Sequence, residues 1–453
     1  MRHSPDPAAR RHSADGSPSS ATRAGATRRA DARTGPARRA ATQTGARTGA
    51  ARGVAVAAAV AVLTAAACGG PKTETAGTDT GAGPIVIGAS VPLSGPLAGF
   101  GSFVKWGYEH AVKEVNDAGG LQVGGTRRKI SLSILDDKTD PNQTSANTEK
   151  LISSTKAVAL LGSCTPALVV PGALVADRSS VPLVTGCAPA GAFTSAKQWT
   201  WAWDLFFAEP DLAKAPFETL KAAGVQTNQK VAVLHDNGPD GKVVGGQLWP
   251  ATAKAYGYQV VTNVEFPVEN TDFNAAVQQA RTAGADVLLV DAVTPQAVSI
   301  RKQLATAGYR PKVIVIEKGA EPVQFAQALG SLSDGVMVGA YWDPSFPYPG
   351  AKELAAAYDQ ETGQGWSQHI ADSYTAAKVL FDAISRAGST DRAKINSAIG
   401  QTDGQYPVGP VKFDDKHVAV LNLAEVQWRG GKTTVVWPKA RATGSLLFPV
   451  PAG

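Results

Sequence analysis

A chain of 453 residues is longer than one ordinary domain, so it is expected to form two or three units or one large two-lobed body. The formal net charge is +6, but the first 53 residues hold eleven Arg and three Asp, so this segment carries 11 − 3 = +8 and the remainder carries 6 − 8 = −2. A nearly neutral remainder lacks the basic surface that binding to phosphate backbones requires, which argues against nucleic acid as a partner.

The chain begins with an Arg- and Ala-rich leader, residues 1–53, which has no periodic apolar pattern and is expected to be disordered. The apolar core of a signal peptide is predicted at residues 54–67, because these 14 residues are fewer than the roughly 20 that span a bilayer. Cys68 follows three Ala and resembles a bacterial lipoprotein processing site, where the thiol receives a lipid, although Ala65 stands where Leu is usual. A plain secretory peptide with an unmodified Cys is the alternative.

Residues 68–84 are polar and rich in glycine, which predicts a flexible tether after the lipidated Cys. From residue 85 onward, short β-branched runs alternate with longer amphipathic stretches, which is the rhythm of a parallel βαβ sheet. Continuous apolar strands indicate that helices cover both faces of this sheet. The predicted strands and helices of this first sheet lie at 85–89, 104–116, 130–136, 144–153 and 158–162.

The same rhythm restarts at residue 230 and predicts a second sheet, with strands at 230–236, 259–266, 286–291, 313–316 and 336–339. A strand at 199–203 and a segment near 341–343 are predicted to carry the chain between the two sheets. The sequence therefore predicts an α/β fold with two Rossmann-like, doubly wound lobes joined by a multi-strand hinge, which permits closure on a ligand. Lobe one is assigned to 85–204 and 343–419, lobe two to 205–342 and 420–438, and a C-terminal tail to 439–453.

The segment Val-Ile-Gly-Ala-Ser-Val-Pro-Leu-Ser-Gly-Pro-Leu-Ala-Gly-Phe-Gly at 86–101 resembles the opening of the leucine/isoleucine/valine-binding family of type I periplasmic substrate-binding proteins of ABC transporters. Further landmarks in matching order are Val-Asn-Asp-Ala-Gly-Gly at 115–120, Val-Pro-Leu-Val at 181–184 and Gly-Pro-Val-Lys-Phe-Asp at 409–414. The resemblance implies three crossovers between two lobes, a small-molecule solute held between them, and the membrane permease subunits of an ABC importer as partners.

The resemblance also implies ligand-binding positions in lobe one. The loop that begins at Ser94 matches the family's lid segment, and Phe100 stands where an aromatic ring covers the solute; a core aromatic is the alternative reading of Phe100. The turn formed by Ser163, Cys164 and Thr165 matches the hydroxyl-rich turn that binds the α-carboxylate of the ligand. An ordinary helix N-cap is the alternative for this turn.

The next strand ends in Gly186, Cys187 and Ala188, where relatives commonly carry hydroxyl groups that contact an amino acid. Cys187 and Ala188 carry no hydroxyl group, and this departure from the family pattern leaves the identity of the ligand open. Cys187 and Cys164 both follow strands that should be neighbours in the parallel sheet, and an exported compartment permits a bridge, so a Cys164–Cys187 disulfide is predicted. Two free thiols are the alternative.

In lobe two, the resemblance assigns ligand contacts to Asp291, Val293 and Glu317. Val293 occupies a position at which the branched-chain binders place an aromatic residue. Glu317 matches the acidic group that receives the ammonium of the ligand, although a shift of one residue would place Lys318 there.

The sequence contains no dinucleotide-binding Gly-x-Gly-x-x-Gly, and its His residues have no metal-ligand spacing, so neither a cofactor nor a metal is expected. An enzyme acting at the cleft is disfavoured because no nucleophile–base pair is evident. The predicted function is a solute-binding lipoprotein of an ABC importer, anchored through Cys68 to the outer face of the cell membrane. The alternative is a ligand-sensing receptor of the same fold that binds an amide, a short peptide or an aromatic acid.

Overall fold

The computed structural model describes residues 83–452. The predicted leader, the apolar segment, Cys68 and all but the last two residues of the predicted tether lie outside this range. Within residues 83–452, every helix is too short or too polar to cross a membrane.

Lobe one begins with strands and helices that alternate in chain order. They are β1 Ile85–Val91, α1 Ala98–Asp117, β2 Leu121–Val123, β3 Thr126–Arg128, β4 Ile130–Asp136, α2 Pro141–Ser153, β5 Ala159–Leu161, α3 Pro166–Arg178, β6 Leu183–Thr185, α4 Ala190–Ala196 and β7 Ala202–Phe206. Strands β4, β1, β5, β6 and β7 lie side by side in that order, all parallel. Strands β2 and β3 form a separate antiparallel hairpin.

Lobe two repeats this plan. Its elements are α5 Glu209–Ala223, β8 Lys230–Asp236, α6 Pro239–Val243, a π-helical turn Val244–Leu248, α7 Trp249–Ala255, β9 Gln259–Phe266, α8 Asn274–Ala283, β10 Val287–Ala292, α9 Thr294–Thr306, β11 Val313–Lys318, α10 Val323–Leu329, a 3-10 turn Gly330–Ser333 and β12 Val336–Ala340. Strands β9, β8, β10, β11 and β12 lie side by side in that order and are parallel.

The remainder of the chain completes both lobes. It contains α11 Ala351–Thr362, α12 His369–Ala387, α13 Arg392–Gly400, β13 Asp403–Tyr406, β14 Gly409–Lys412, β15 Val418–Val420, β16 Ala424–Arg429 and β17 Lys432–Trp437. Strand β15 extends the first sheet beside β7, whereas β16 and β17 extend the second sheet as antiparallel strands beside β12. The chain therefore crosses between the lobes after β7, after β12 and after β15, which confirms the predicted two-lobed α/β fold.

Each sheet has a point at which the order of its strands reverses. Strand β1 lies between β4 and β5, and β8 lies between β9 and β10, so both sheets follow the order 2-1-3-4-5. In open α/β sheets, ligands bind outside the carboxyl ends of the strands at this switch point, where successive loops diverge. The topology therefore places a candidate site after β1 and β5 in one lobe and after β8 and β10 in the other.

Both faces of the second sheet are buried, as its apolar strands predict. Along β8, Val231 and Val233 belong to one hydrophobic cluster, and Ala232 and Leu234 belong to another on the opposite face. Side chains alternate across a strand, so this division requires helices on both sides. Each fully buried Val or Leu contributes about 1.5–3 kcal/mol, so the paired clusters hold the strand ends in fixed positions.

The predicted strand at 199–203 is wrong at its start, because β7 begins only at Ala202. The indole N–H of Trp199 donates to the carbonyl oxygen of Phe193, and Trp201 N donates to Asp177 Oδ1. The N–H groups of Thr200 and Trp201 therefore bond to a side chain and not to a neighbouring strand. The alternation of Trp residues therefore reflects packing in lobe one and does not mark a continuous strand.

Candidate functional site

A cleft lies where the carboxyl ends of the two sheets approach each other, and it holds about 500 Å³ of unoccupied space, counting its open mouth. Its walls are formed by strand ends of both sheets, by the loops that follow them and by residues of the neighbouring helices. The lining residues are Phe100, Cys164, Thr165, Pro166, Cys187, Pro189, Phe206, Phe207, Leu212, Asp240, Val244, Asp291, Glu317, Lys318, Glu321 and His369.

The structure brings together part of the predicted ligand-binding set and places the rest elsewhere. The predicted residues that line the cleft are Phe100, Cys164, Thr165, Cys187, Asp291 and Glu317. Those that do not line it are Ser94, Ser163, Gly186, Ala188 and Val293.

The two predicted serines hold loops together instead of facing the cleft. Ser94 Oγ donates to Asp136 Oδ2 at 2.7 Å near the surface, and this bond ties the loop after β1 to the end of β4. Ser163 Oγ donates to Asp137 Oδ2 at 2.7 Å in the interior. Their hydroxyl groups are therefore used by neighbouring carboxylates.

Gly186, Ala188 and Val293 are the other predicted residues that do not line the cleft, and they face the protein interior. A Cβ on Gly186 would lie 3.0 Å from the backbone oxygen of Asp372, so this glycine permits close packing against α12. Ala188 is fully buried in a hydrophobic cluster of lobe one. Val293 is also buried, and its N–H donates to Gln296 Oε1 at the start of α9.

Aromatic rings form the apolar wall of the cleft on the side of lobe one. Phe100, in the first turn of α1, meets the ring of His369 edge-on, with ring centroids 5.1 Å apart. Phe206 ends β7 and Phe207 follows it, and their ring centroids lie 4.7 and 6.0 Å from that of Tyr341. Phe100 is 3% exposed, so it packs in the core and lines the cleft at the same time.

Thr165 presents an unusual backbone at the start of α3. Its φ is 68°, a conformation that non-glycine residues rarely adopt and that is found where surrounding structure enforces it, often at functional sites. Its hydroxyl makes no capping hydrogen bond to α3, whose first residue is Pro166. The positive end of the 13-residue helix α3 therefore faces the cleft beside an unused hydroxyl group, an arrangement that suits an anion.

A buried cation lies opposite, in the wall formed by lobe two. Lys318 Nζ donates to Asp236 Oδ2 at 2.7 Å and to Asp240 Oδ2 at 2.9 Å, and it forms an ion pair with Asp291 Oδ1 at 2.8 Å. These acids follow or lie near the ends of β8 and β10, so the parallel register of the sheet gathers them around one ammonium group. Lys318 itself has a φ of 64°, which aims its side chain across the strand ends.

Burial and charge oppose each other in this cluster. Burial alone would lower the pKa of Lys318, but Asp240, Asp291 and Asp236 raise it well above its usual value. Burial raises the pKa of Asp291 to about 7, although Lys318 pulls it down. Lys318 therefore stays charged, and Asp291 is the acid in the cluster that exchanges a proton near neutral pH.

Glu317 lines the cleft, but it is not the best acceptor for a ligand ammonium. Its carboxylate accepts a hydrogen bond from Gly339 N at 3.0 Å. Burial, reinforced by the nearby charges of Glu425 and Glu321, raises the pKa of Glu317 well above its usual value. A protonated carboxyl group attracts a cation only weakly, so Asp291 and Glu321 are better placed to contact an ammonium.

His369, the first residue of α12, brings a second cation to the cleft. Its Nδ1 lies 2.8 Å from Asp372 Oδ2 and 3.1 Å from Tyr341 Oη, and its Nε2 lies 3.2 Å from Glu321 Oε2. Burial alone would lower the pKa of His369, but Asp372 and Glu321 raise it to about 10. The ring is therefore an imidazolium at neutral pH.

The structure joins Cys164 and Cys187 in a disulfide, with their Cα atoms 4.8 Å apart. The bridge connects the loop after β5 to the loop after β6, as the sequence predicts. Among the described residues, one group of Cys, His and acidic side chains is close enough to surround a metal ion. It consists of these two sulfurs and a ring nitrogen of His369. Metals bind thiolates, and the disulfide consumes both, so we assign no metal to this group.

Several lining residues were not predicted from the sequence. Lys318 was considered only as a shifted alternative to Glu317. Phe206 ends β7, and Phe207 and Asp240 follow β7 and β8, so the rule that ligands lie at strand ends could have indicated all three. His369 and Glu321 had no such signal, because their approach depends on how α12 and the loop after β11 pack in three dimensions.

Two doubly wound lobes that enclose a polar cleft and are joined by three chain crossings define the class of two-lobed solute-binding proteins. The chain belongs to the periplasmic binding protein family, whose sequence model matches residues 84–433. The predicted resemblance is thereby confirmed. Among curated relatives, Leu/Ile/Val-binding protein homolog 7 of Brucella suis biovar 1 (strain 1330) is 27% identical over 398 residues, which cover 83% of this chain and 96% of the relative.

Solved structures show the same fold. The leucine binding protein LivK of Thermotoga maritima MSB8 superposes with a TM-score of 0.70 at 23% identity, over 78% of this chain and 97% of that chain. A solute binding protein of an ABC transporter from Rhodopseudomonas palustris BisB5, in complex with 3,4-dihydroxy benzoic acid, superposes with a TM-score of 0.67 at 21% identity, over 77% of this chain and 95% of that chain. At these identities the likeness concerns the fold alone.

Proposed function

We propose that this protein is the extracytoplasmic receptor of an ABC importer, tethered to the membrane by a lipid on Cys68. It captures an amino acid or a similar small solute between its lobes by hinge closure, without chemical change to the solute. The membrane permease subunits of the importer then recognise the closed form. Closure is a population shift, so affinity follows from the difference in solute contacts between the open and closed states.

The observation that carries the proposal is the opposite polarity of the two ends of the cleft. The lobe-one end offers the start of α3 with the unused hydroxyl of Thr165, which suits a carboxylate. The lobe-two end is lined by Asp291 and Glu321, whose carboxylates pair with Lys318 and His369 at 2.8 and 3.2 Å. Each carboxylate oxygen has two lone pairs, so these groups can also accept from a solute ammonium. A zwitterion with a carboxylate and an ammonium group matches both ends.

The balance of charge supports an ammonium in the solute. The cleft is lined by four acids, Asp240, Asp291, Glu317 and Glu321, and by two cations, Lys318 and His369. Asp236 and Asp372 lie directly behind those cations, and each accepts one of their contacts. Even with Glu317 protonated, the acids exceed the cations, so a solute that brings a positive group lowers the electrostatic free energy of the closed cleft.

A thermal-shift panel of amino acids, amides, short peptides and aromatic acids tests the proposal on residues 69–453. A solute that binds only the native state and is present at 100 times its dissociation constant adds about 2.7 kcal/mol to the free energy of unfolding. We expect aliphatic amino acids to raise the unfolding midpoint and their deaminated acids to have little effect. A panel in which no amine-bearing solute shifts the midpoint contradicts the amino-acid assignment.

The variant Asp291→Asn tests the lobe-two end by calorimetric titration with the best solute of the panel. Hydrogen bonds to charged groups contribute about 1.5–3 kcal/mol, so we expect the affinity for an amine-bearing solute to fall roughly tenfold to a hundredfold. Asp286→Asn is the matched control, because Asp286 pairs with Lys312 at 2.8 Å outside the cleft. Equal affinities for both variants contradict the role of Asp291.

The aromatic wall favours a second candidate ligand, an aromatic acid bound by a receptor of the same fold that senses its ligand. Phe100, Phe206 and Phe207 offer ring faces and edges to a flat solute. The Rhodopseudomonas relative named above is in complex with an aromatic acid. This alternative predicts that benzoates, which lack an amine, raise the midpoint at least as much as amino acids do and keep their affinity in Asp291→Asn.

The lipid anchor and the role in transport need tests in cells. We expect Cys68→Ala to release the protein from the membrane fraction into the soluble fraction and to abolish incorporation of labelled palmitate. We also expect deletion of the gene to lower uptake of the labelled solute, and the restored wild-type gene to recover it. Uptake that is unchanged by the deletion, for a solute that the protein binds tightly, favours the sensing alternative.

A further inference from the structure

The Cys164–Cys187 disulfide lies in the wall of the solute cleft, where a purely structural bridge has no need to be. Both cysteines line the cavity, next to Thr165 and the prolines that follow each loop. The two loops are also joined by a backbone hydrogen bond, since Thr165 N donates to Cys187 O at 3.0 Å. The disulfide can therefore open without separating the loops that carry it.

One sulfur of the bridge has a cation beside it. Cys187 Sγ lies 3.4 Å from His369 Nδ1 in the buried wall. The groups that face the His369 ring are Asp372, Glu321, the Tyr341 hydroxyl and the edge of Phe100. The two carboxylates keep the ring protonated at neutral pH, and a neighbouring imidazolium stabilises a thiolate.

This placement makes the two sulfurs unequal. In thiol–disulfide exchange, the attacking thiolate bonds to one sulfur and the other leaves as a thiolate, faster when its charge is stabilised. Cys187 next to His369 is the favoured leaving group, so Cys164 is the sulfur that an incoming thiolate attacks. Both cysteine residues are more than nine-tenths buried and line the cavity, so the attacking group has to enter through the cleft.

We propose that the Cys164–Cys187 disulfide is a thiol-exchange site in the solute cleft, at which a small aminothiol forms a mixed disulfide with Cys164 and releases Cys187 as a thiolate beside His369. The S–S bond between the cysteines breaks, and a new S–S bond forms between the aminothiol and Cys164. The negative charge passes from the incoming thiolate to Cys187, and no other oxidant or reductant is consumed.

The charge of the cleft selects the class of thiol. Asp240, Asp291 and Glu321 line the same cavity as the disulfide, so a thiol with an ammonium group is attracted and a thiol with a sulfonate group is repelled. The inference concerns the reactivity of the bridge, and it does not depend on which solute the protein carries.

The experiment uses the full chain with Cys68→Ala, so that the two bridged residues are its only cysteines, purified in the oxidised form. The protein is exposed to cysteamine or to mercaptoethanesulfonate, quenched with acid at successive times, alkylated and analysed by intact mass and peptide mapping. Each rate is divided by the rate of the same thiol with the neutral disulfide of 2-mercaptoethanol. We expect one cysteamine on Cys164, an alkyl group on Cys187, and a normalised rate about tenfold higher for cysteamine than for the sulfonate.

Two results overturn the proposal outright. The first is an intact bridge after the reference disulfide has exchanged completely. The second is a cysteamine adduct on Cys187 with Cys164 released, because that outcome removes the role of the imidazolium. Reduction of both cysteines without an adduct at any time point also contradicts a mixed disulfide at this site.

The variant His369→Gln tests the positioning role of the imidazolium. We expect exchange about tenfold slower than in the parent, because Cys187 then leaves without a neighbouring cation. His417→Gln is the matched control, because His417 stacks on Trp203 just before the edge strand β15 and does not line the cleft. Equal rates in the two variants overturn the role of His369.

A pH profile of the parent protein keeps the test valid if His369→Gln fails to fold. The rate, corrected for the ionised fraction of the attacking thiol, should level off above about pH 7, where Asp291 is ionised and attracts the ammonium group. It should fall as the pH approaches about 10, where His369 loses its proton. A corrected rate that is level through that range contradicts the proposal.

Discussion

Lys318 Nζ lies 2.8 Å from Asp291 Oδ1, at the point where two neighbouring strands of lobe two end. The pair results directly from the register, because Asp291 in β10 is paired with Glu317 in β11 and Lys318 follows one position later. Two further carboxylates satisfy the same ammonium group, so the protein itself neutralises this cation. The cleft therefore presents Lys318 as part of its wall and leaves acidic oxygens for a solute.

Replacing Lys318 by Met tests this neutralisation. Removal of one partner from a buried ion cluster leaves uncompensated charges, so we expect Lys318→Met to lower the free energy of unfolding by about 3–5 kcal/mol. Lys312→Met is the control, because the Lys312 side chain is 46% exposed and its ion pair with Asp286 should contribute at most about 1 kcal/mol. Urea denaturation of the solute-free proteins measures both. Equal losses in the two variants contradict a neutralised cluster.

The proton on His369 should make stability depend on pH. The pKa of this group rises from 6.5 to about 10 in the folded protein, so between these values the folded state holds a proton that the unfolded state has released. Its contribution is complete below about pH 6.5 and is lost as the pH rises through about 10. We expect the free energy of unfolding to fall across this range, by at most about 1.4 kcal/mol per pH unit from this group.

Comparison with His369→Gln isolates that contribution. The other titrating groups are present in both proteins, so the difference between the two stability curves reports His369. We expect this difference to be largest near neutral pH and to shrink towards pH 10. A constant difference across the range contradicts an imidazolium in the folded cleft.

The fold was largely predictable because the signal is local. Apolar runs such as the one that became β8 are continuous, and both faces of that strand are buried, so periodicity indicated a covered parallel sheet. The start of β7 was mispredicted because Asp177, distant in sequence, supplies acceptors to Thr200 and Trp201. No pattern within residues 199–203 reveals that partner.

The site was less predictable, because it depends on contacts between distant segments. The family resemblance assigned ligand contacts to Asp291 and Thr165, and the structure places both residues at or just beyond strand ends in the cleft wall. It could not distinguish Ser163, whose hydroxyl turns to Asp137, from Thr165, whose hydroxyl is free of its own helix. Only Cys164 separates the two residues, and only the packed structure shows which of their hydroxyl groups faces the cleft.

Thr165 and Ser163 therefore form a matched pair of variants. We expect Thr165→Val to lower the affinity for the solute about tenfold or more, because the hydroxyl is proposed to bond to a charged carboxylate. We expect Ser163→Ala to leave affinity nearly unchanged and to lower the free energy of unfolding by about 1–3 kcal/mol, because Asp137 loses a buried donor. Titration calorimetry and urea denaturation of both variants separate the two roles. A stronger loss of affinity in Ser163→Ala reverses the assignment.

Helix α1 links core packing to the cleft, because it carries Phe100 in its first turn and packs along α12. A Cβ on Gly107 would lie 2.1 Å from Ser373 Oγ and 2.9 Å from the backbone oxygen of Ile370, whereas a Cβ on Gly99 meets nothing within 4 Å. We expect Gly107→Ala to lower the free energy of unfolding by about 1–3 kcal/mol through overpacking. Gly99→Ala should raise it by no more than about 1 kcal/mol, since alanine favours the helix.

The same pair of variants should differ in solute binding. Phe100 and His369 both form the cleft wall, and their ring centroids are 5.1 Å apart. The substitution Gly107→Ala should displace α1 and so shift Phe100 relative to His369. We therefore expect weaker solute binding in Gly107→Ala, measured by titration calorimetry at a temperature where the variant is folded. If Gly107→Ala is destabilised but binds the solute with unchanged affinity, the packing of α1 on α12 supports the lobe without setting the position of Phe100.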